Sequence, residues 1–409
     1  MGHIIMRDTL RTDQGAGAVG VASTQKRSQV TDANQIGSPR GALSEWIPLY
    51  RPYLGGKEKE YVNQCLDSSW ISSRGAFVER FEEKFASLIG APRATSVCNG
   101  TVALHLALET LGFTAGDEII VPTLTYVASV NTIIQAGATP VFVDSRADTW
   151  QIDPEDVRRN ITPRTKALMA VHLYGQACDM DALVNICEEF DLWLIEDCAE
   201  AFGTYYKGRH VGTFGDFATF SFFGNKTITT GEGGMVVTKN NDLLDRAYHL
   251  KTQAVSPHRE YWHDAVGYNY RMTNICAAIG LAQLENASPI LEKKRQIALW
   301  YQQGLEGLPL RLLGEFPDTT NSYWMCSIVV DDPDVRQPLR DWLTAANIET
   351  RPVFHPCHTL PHCKTEQTFP VAESLSARGM NLPSFPELSL ESVSTVCTVI
   401  RSFFRSRSQ

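Results

Sequence analysis

Between Ala94 and Asp197 the sequence repeats one unit: a short apolar run, a polar turn, then a helix-length stretch. Ala94–Val97 leads through Cys98-Asn99-Gly100-Thr101 into Val102–Leu111. Glu118–Val121 leads through Pro122-Thr123-Leu124-Thr125 into Tyr126–Gln135. Thr139–Val143 ends at Asp144. Ala167–Val171 precedes His172-Leu173-Tyr174-Gly175, and a helix follows to Phe190. Leu192–Ile195 ends at Glu196-Asp197. Strands that alternate with helices predict a mostly parallel α/β sheet. In such sheets, sites form at the carboxyl ends of the strands, and that is where these polar clusters fall.

The flanking sequence extends this reading. Helical spacing predicts helices over 57–69 and 77–88, separated by a loop at Trp70–Gly75. After Met235-Val236-Val237 come helical stretches at about 242–254 and 272–302, the second read as one long, bent helix. From about residue 305 the pattern changes to that of a smaller α+β unit, with Tyr323–Val330, Val335–Ala345 and Thr350–Val353 as its elements. The expected organisation is a disordered leader at 1–45, a large domain at 46–290 and a small C-terminal domain at 291–409. The leader is rich in Gly, Ser, Thr, Gln and Arg and lacks apolar periodicity.

Composition narrows the function classes. A net charge of −9 with no basic block argues against nucleic acid or an anionic membrane surface as partner. No apolar run reaches the length of a bilayer span. Ten cysteines scattered through apparent core segments read as reduced thiols of a cytoplasmic enzyme, not as a disulfide framework.

Several residues at the strand ends carry possible chemistry. Lys226 lies in FSFFGNKTITTGEGGM (Phe220–Met235), between an apolar run and a Gly-rich turn. A lysine held neutral there can attack a carbonyl, as Schiff-base chemistry requires; a surface lysine before a hairpin is the plainer alternative. Gly100 and Thr101 open a helix and offer backbone N–H groups and a hydroxyl to a phosphate, although threonine also serves as an ordinary cap. Ser221 could add a second hydroxyl. Asp197, at the end of an apolar strand, could keep a pyridinium nitrogen protonated or simply cap a helix, with Glu200 close by. Tyr126 could stack on a planar ring. The segment His355–Cys363 has its histidines and cysteines interrupted by two prolines and matches no common zinc spacing, so no metal is expected. His355 or His358 contacting substrate is the preferred reading.

Taken together, NGTVALH (Asn99–His105), PTLTYVAS (Pro122–Ser129), HLYGQACDM (His172–Met180), IEDCAEAFG (Ile195–Gly203), FSFFGNKTITTGEGG and YNYRMTN (Tyr268–Asn274) resemble the DegT/DnrJ/EryC1/StrS family of sugar aminotransferases. The resemblance covers nearly the whole chain from about Ile47. It implies the type I aminotransferase fold with a mostly parallel seven-stranded sheet, pyridoxal 5′-phosphate as cofactor, and a homodimer with shared active sites. Lys226 would carry the cofactor and shuttle the proton, and Asp197 would pair with the ring nitrogen. Glu200 would lie near the ring substituents and Tyr126 against its face. Gly100, Thr101 and Ser221 would hold the phosphate, joined by Asn269 from the partner subunit. Arg271 is a candidate for the donor carboxylate or the nucleotide phosphates; His172, Tyr174 and His355 are candidates for the sugar pocket. SSWISSRG, YWHDAVGYNYRMTN and HTLP resemble the members that aminate GDP-4-keto-6-deoxy-mannose with L-glutamate. Members that dehydrate the sugar carry histidine in place of Lys226, so the lysine favours amino transfer. Another nucleotide-linked keto sugar as acceptor, or a non-catalytic regulator on the same fold, are the alternatives.

Overall fold

The computed structural model describes residues 45–407, so the leader expected at 1–45 lies, apart from Glu45, outside the described residues. Among the described residues fourteen strands follow in chain order. They are β1 (Ala94–Val97), β2 (Glu118–Pro122), β3 (Thr139–Val143), β4 (Thr165–Val171), β5 (Trp193–Asp197), β6 (Tyr205–Tyr206) and β7 (Arg209–His210). After them come β8 (Phe217–Ser221), β9 (Gly234–Val237), β10 (Leu310–Leu312), β11 (Thr319–Thr320), β12 (Cys326–Val330), β13 (Arg351–Pro352) and β14 (Gly379–Leu382). Seven of them form one sheet in the order β1-β9-β8-β5-β4-β2-β3. Only β9 runs against the rest, pairing antiparallel with both β1 and β8. The mostly parallel α/β sheet expected from the alternation is present.

The sheet is apolar on both faces, as parallel sheets covered by helices are. Alternate residues point to opposite sides: Leu168 and Ala170 of β4 join one core with Phe81, Phe85, Phe220 and Phe222, whereas Ala167, Met169 and Val171 join another with Leu104, Leu106 and Leu108. Phe85 alone meets Phe202, Phe220 and Phe222 at centroid distances of 6.0, 4.9 and 5.6 Å. Stacked and edge-to-face contacts of this kind add to the burial energy of each ring.

A second sheet, β10-β12-β14-β13, carries its own core with Leu339, Leu343, Val396 and Ile400 from the helices Pro333–Ala345 and Leu390–Arg407. The long bent helix expected at 272–302 is instead two helices, Asn274–Glu285 and Ala287–Leu305, meeting at Asn286. Pro289 explains the break. It has no N–H to give Glu285 and its ring crowds that carbonyl, so it is tolerated only in a first turn. The second helix joins the two layers: Ala287, Ile290 and Leu291 pack into the first core, and Ile297, Tyr301 and Leu305 into the other. No helix among the described residues is long and apolar enough to cross a membrane.

Candidate active site

Because β1, β2, β4, β5 and β8 run in one direction, the turns that follow them open on one edge of the sheet. The turn after β8 carries Lys226. Its amide donates to the Phe223 carbonyl at 2.9 Å, and Trp324 Nε1 donates to the Asn225 carbonyl at 2.7 Å, which ties the turn to the segment before β12. Lys226 Nζ lies 3.8 Å from Glu200 Oε1 and 4.1 Å from the centre of the Trp324 ring. Neither contact is a hydrogen bond of normal length. Next to it, Asn225 Oδ1 and Thr227 Oγ1 are buried without a partner. Burial pulls the Lys226 amine below the usual lysine range, against Glu200 and Asp197, which favour its charged form.

Asp197 ends β5 with both oxygens engaged. Oδ2 accepts from Ser129 Oγ at 2.7 Å and Oδ1 from the Ala199 amide at 3.0 Å. Ser129, itself buried, lies 3.0 Å from Thr125 Oγ1. The first turn of the helix after β2, Val127–Gln135, therefore braces the carboxylate at the end of β5. Glu200 Oε2 accepts from the Tyr174 amide at 2.8 Å, and burial pushes its carboxyl up to about 7 against the pull of Lys226.

A candidate anion seat lies where β1, β8 and β9 meet. Asn99, not Thr101, caps the helix Gly100–Leu111, its Oδ1 accepting from the Val102 amide at 3.0 Å. A Cβ on Gly100 would lie 2.6 Å from Ser221 Cβ, and one on Gly234 only 2.5 Å from the Asn99 carbonyl oxygen. The glycines thus let the first amides of the helix lie bare beside the Ser221 hydroxyl. Along the same turn, the Cys98 amide donates to the Tyr270 carbonyl at 2.8 Å, and Arg271 donates twice to Asn269 Oδ1, at 2.9 and 3.2 Å.

Other expected residues fall differently. Tyr126 is 56 % exposed although it is a large aromatic, with its ring 5.6 Å from Phe354. His355 is exposed as well. His172 and Tyr174, expected at the sugar pocket, are fully buried. His172 Nδ1 accepts from the Cys178 amide, so Nε2 carries the proton toward Glu196 Oε2 at 3.1 Å. Tyr174 stacks on Trp324 at an interplanar angle of 7°, and its hydroxyl accepts from the Phe354 amide. Both belong to the packing behind the site, because their polar atoms are already paired inside the protein. His358 is likewise buried, bonded to Thr123 Oγ1 at 2.7 Å. Trp324 and Ser129 went unremarked in the sequence. Trp324 reads only as part of a strand, whereas Ser129, one helical turn past Tyr126, carried a faint signal. A cavity of about 490 Å³ lined by Tyr205, Arg209 and Lys239 shares no residue with this cluster, so neither the bare amides nor the lysine opens into it.

Residues 52–401 match the model of the DegT/DnrJ/EryC1/StrS aminotransferase family. The GDP-perosamine synthase of Escherichia coli O157:H7 is 56 % identical, over 89 % of this chain and 100 % of its own. That of Vibrio cholerae is 53 % identical, over 88 % and 99 %. Among solved structures, the aminotransferase TlmJ from Streptoalloteichus hindustanus superposes with a TM-score of 0.85 at 30 % identity, over 89 % of this chain and 100 % of its own. Enzymes of this family depend on pyridoxal phosphate. The residues present fit that group: bare helix amides beside a serine hydroxyl for an anion, a carboxylate braced on both oxygens for a pyridine N–H, and a buried amine lacking a normal hydrogen bond. This chain belongs to the DegT/DnrJ/EryC1/StrS aminotransferase family.

Proposed function

We propose that the chain transfers the amino group of L-glutamate to C4 of GDP-4-keto-6-deoxy-D-mannose, giving GDP-perosamine for a surface polysaccharide such as an O-antigen. The observation that carries the amino-transfer reading is Lys226, a buried amine whose burial favours the neutral form, five residues past a parallel strand's end and within 4 Å of one carboxylate. The choice of acceptor rests on the two relatives named for that product, matched along their whole length.

In this reading Lys226 Nζ would bind the cofactor, take the proton from the α-carbon of glutamate in the first half-reaction and deliver one to C4 of the sugar in the second. Bound pyridoxal phosphate supplies an electron sink for the carbanion formed at those carbons. Asp197 would hold the ring nitrogen, its aim fixed by the bonds it accepts from Ser129 and Ala199. Gly100, Thr101 and Ser221 bind the phosphate, Tyr126 lies along the ring face, and Glu200 sits beside Lys226. Arg271 is offered to the donor carboxylate or the nucleotide phosphates, since its planar fork suits either oxyanion, and exposed His355 to the sugar. We further propose a cytoplasmic homodimer in which Asn269 of one subunit completes the phosphate seat of the other.

The test is an assay of the purified chain with pyridoxal phosphate, L-glutamate and GDP-4-keto-6-deoxy-D-mannose, with the product read by mass spectrometry. A 4-amino sugar is the expected result. Amination of a different nucleotide-linked keto sugar alone would replace the acceptor. Absence of both cofactor absorbance and product would sink the catalytic reading. Ultracentrifugation that finds only monomer would sink the shared site.

A further inference from the structure

For the role proposed above, Lys226 must shed a proton to become a nucleophile and take one up when it acts as a base. Its side chain is only 13 % exposed, so a neighbour must hold that proton. Asp197, braced by Ser129 and by the Ala199 amide, is the group assigned above to the ring nitrogen. The Tyr174 hydroxyl accepts from the Phe354 amide, and burial holds it as a neutral phenol. Glu200 differs from both. One oxygen is committed to the Tyr174 amide, and the other faces Lys226 Nζ at 3.8 Å.

We propose that Glu200 is the proton partner of Lys226, a catalytic carboxyl group that takes the proton from the ammonium and returns it within the buried site. This rests on the amino-transfer reading and adds a residue to its machinery. In the forward step an N–H bond of the Lys226 ammonium breaks as an O–H bond forms on Glu200 Oε1. Ammonium and carboxylate become amine and acid, and the net charge of the pair stays the same. The 3.8 Å gap is too long for direct transfer; rotation of the glutamate's terminal torsion or of the flexible lysine stem closes it. The titratable groups facing Glu200 are Lys226, Asp197 and Tyr174. The negative charge of Asp197 favours the proton on Glu200, and Tyr174 stays neutral. Burial moves the two partners toward each other, the carboxyl upward and the amine downward, which narrows the difference in affinity that the proton must cross.

The test is a pair of NMR titrations on the full-length, cofactor-free chain. It follows the Lys226 side-chain signals, assigned by their loss in Lys226→Ala, and the Glu200 carboxyl carbon. Linkage makes the coupling reciprocal. Glu200→Gln lowers the Lys226 midpoint by about one pH unit, a roughly tenfold rise in neutral amine at a fixed pH below that midpoint. Lys226→Ala raises the Glu200 midpoint by the same amount, and Glu200→Asp, which keeps the charge, gives an intermediate lysine midpoint. Midpoints that stay within about 0.3 of a pH unit in both directions overturn the proposal. The lysine variant keeps the test decisive if Glu200→Gln does not fold. The amino-transfer reading fails separately, by a wild-type chain that binds no cofactor and forms no amino sugar while these titrations stand.

Discussion

Glu196 and Glu200 lie four residues apart at the end of one strand, both sealed from solvent, and they behave as opposites. Four donors converge on Glu196. The amides of Phe214 and Gly215 bond to Oε1 at 2.8 and 2.7 Å, while the Gly212 amide and His172 bond to Oε2 at 2.7 and 3.1 Å. Those donors outweigh the burial that alone would raise it, and they hold the carboxyl below the usual range. Glu200 has one amide and a distant lysine, so burial wins and the group titrates near 7. The lesson is that burial alone does not make a carboxylate reactive. The count of donors that reach it decides whether it is a structural anchor or a proton reservoir. The donor atoms of His172, Glu196 and Cys198 lie within 4.8 Å of one another, yet the carboxylate's acceptor sites are filled by those four donors, and Glu196 thereby pins the 212–215 loop.

The buried lysines divide the same way. Lys251 donates to Thr95 Oγ1 and the Ser96 carbonyl at 2.6 and 2.7 Å. Lys294 donates to the Trp324 and Ser384 carbonyls at 2.9 and 2.7 Å and to Ser384 Oγ at 2.6 Å. Both are stitched into the frame. Lys226 has no bond of that length, and an amine without fixed partners can change its own.

Variants should separate anchors from reactive groups. Lys226→Ala has the largest effect: amino transfer falls by about a thousandfold or more while the circular-dichroism spectrum stays that of the wild type. Residual turnover near normal would remove the lysine from the mechanism. Glu196→Gln replaces two acceptor oxygens by one and sets an NH₂ against backbone donors. It should cost about 4 kcal/mol of stability, read as a shift in the urea midpoint at constant slope; a change below about 1 kcal/mol would mean that Glu196 is no anchor. For Glu200 the sign follows from its raised titration. The folded, cofactor-free chain keeps a proton that the unfolded chain releases, so stability falls as pH rises from about 4.3 to about 7. The span is roughly 3 kcal/mol. Glu200→Gln should flatten that part of the stability–pH curve, and an unchanged curve would contradict the contrast with Glu196. Ser129→Ala has the smallest effect, about 1 kcal/mol. It appears as a several-fold weaker hold on pyridoxal phosphate in an absorbance titration, and unchanged affinity would show that Asp197 needs no brace from the neighbouring turn.

Much of this arrangement is legible in the residues. Short apolar runs alternating with helix-length stretches mark five of the seven main strands within about two residues, because strand and helix periods are local properties. Lys226, Asp197 and the Asn99-Gly100-Thr101 turn stand out because each ends such a run. His172 and Tyr174 end one as well, yet their side chains point into the protein, and no period in the sequence separates them from residues facing the opening. The break at Asn286 was within reach through Pro289, but an apolar pattern running across it favoured a single helix.

What the sequence by itself determined is the order of strands and helices, the polar character of each strand's end, and the presence of a lysine, a carboxylate and a glycine-opened helix among those ends. The tertiary structure decided how many partners each buried charge has. Gly212, Phe214 and Gly215 lie 16 to 19 residues from Glu196, Ser129 lies 68 from Asp197, and the Trp324 ring reaches Lys226 from the segment leading into the second sheet. A side chain's proton affinity depends on donors and charges within a few ångströms, and only the folded chain brings groups so far apart in sequence to that distance.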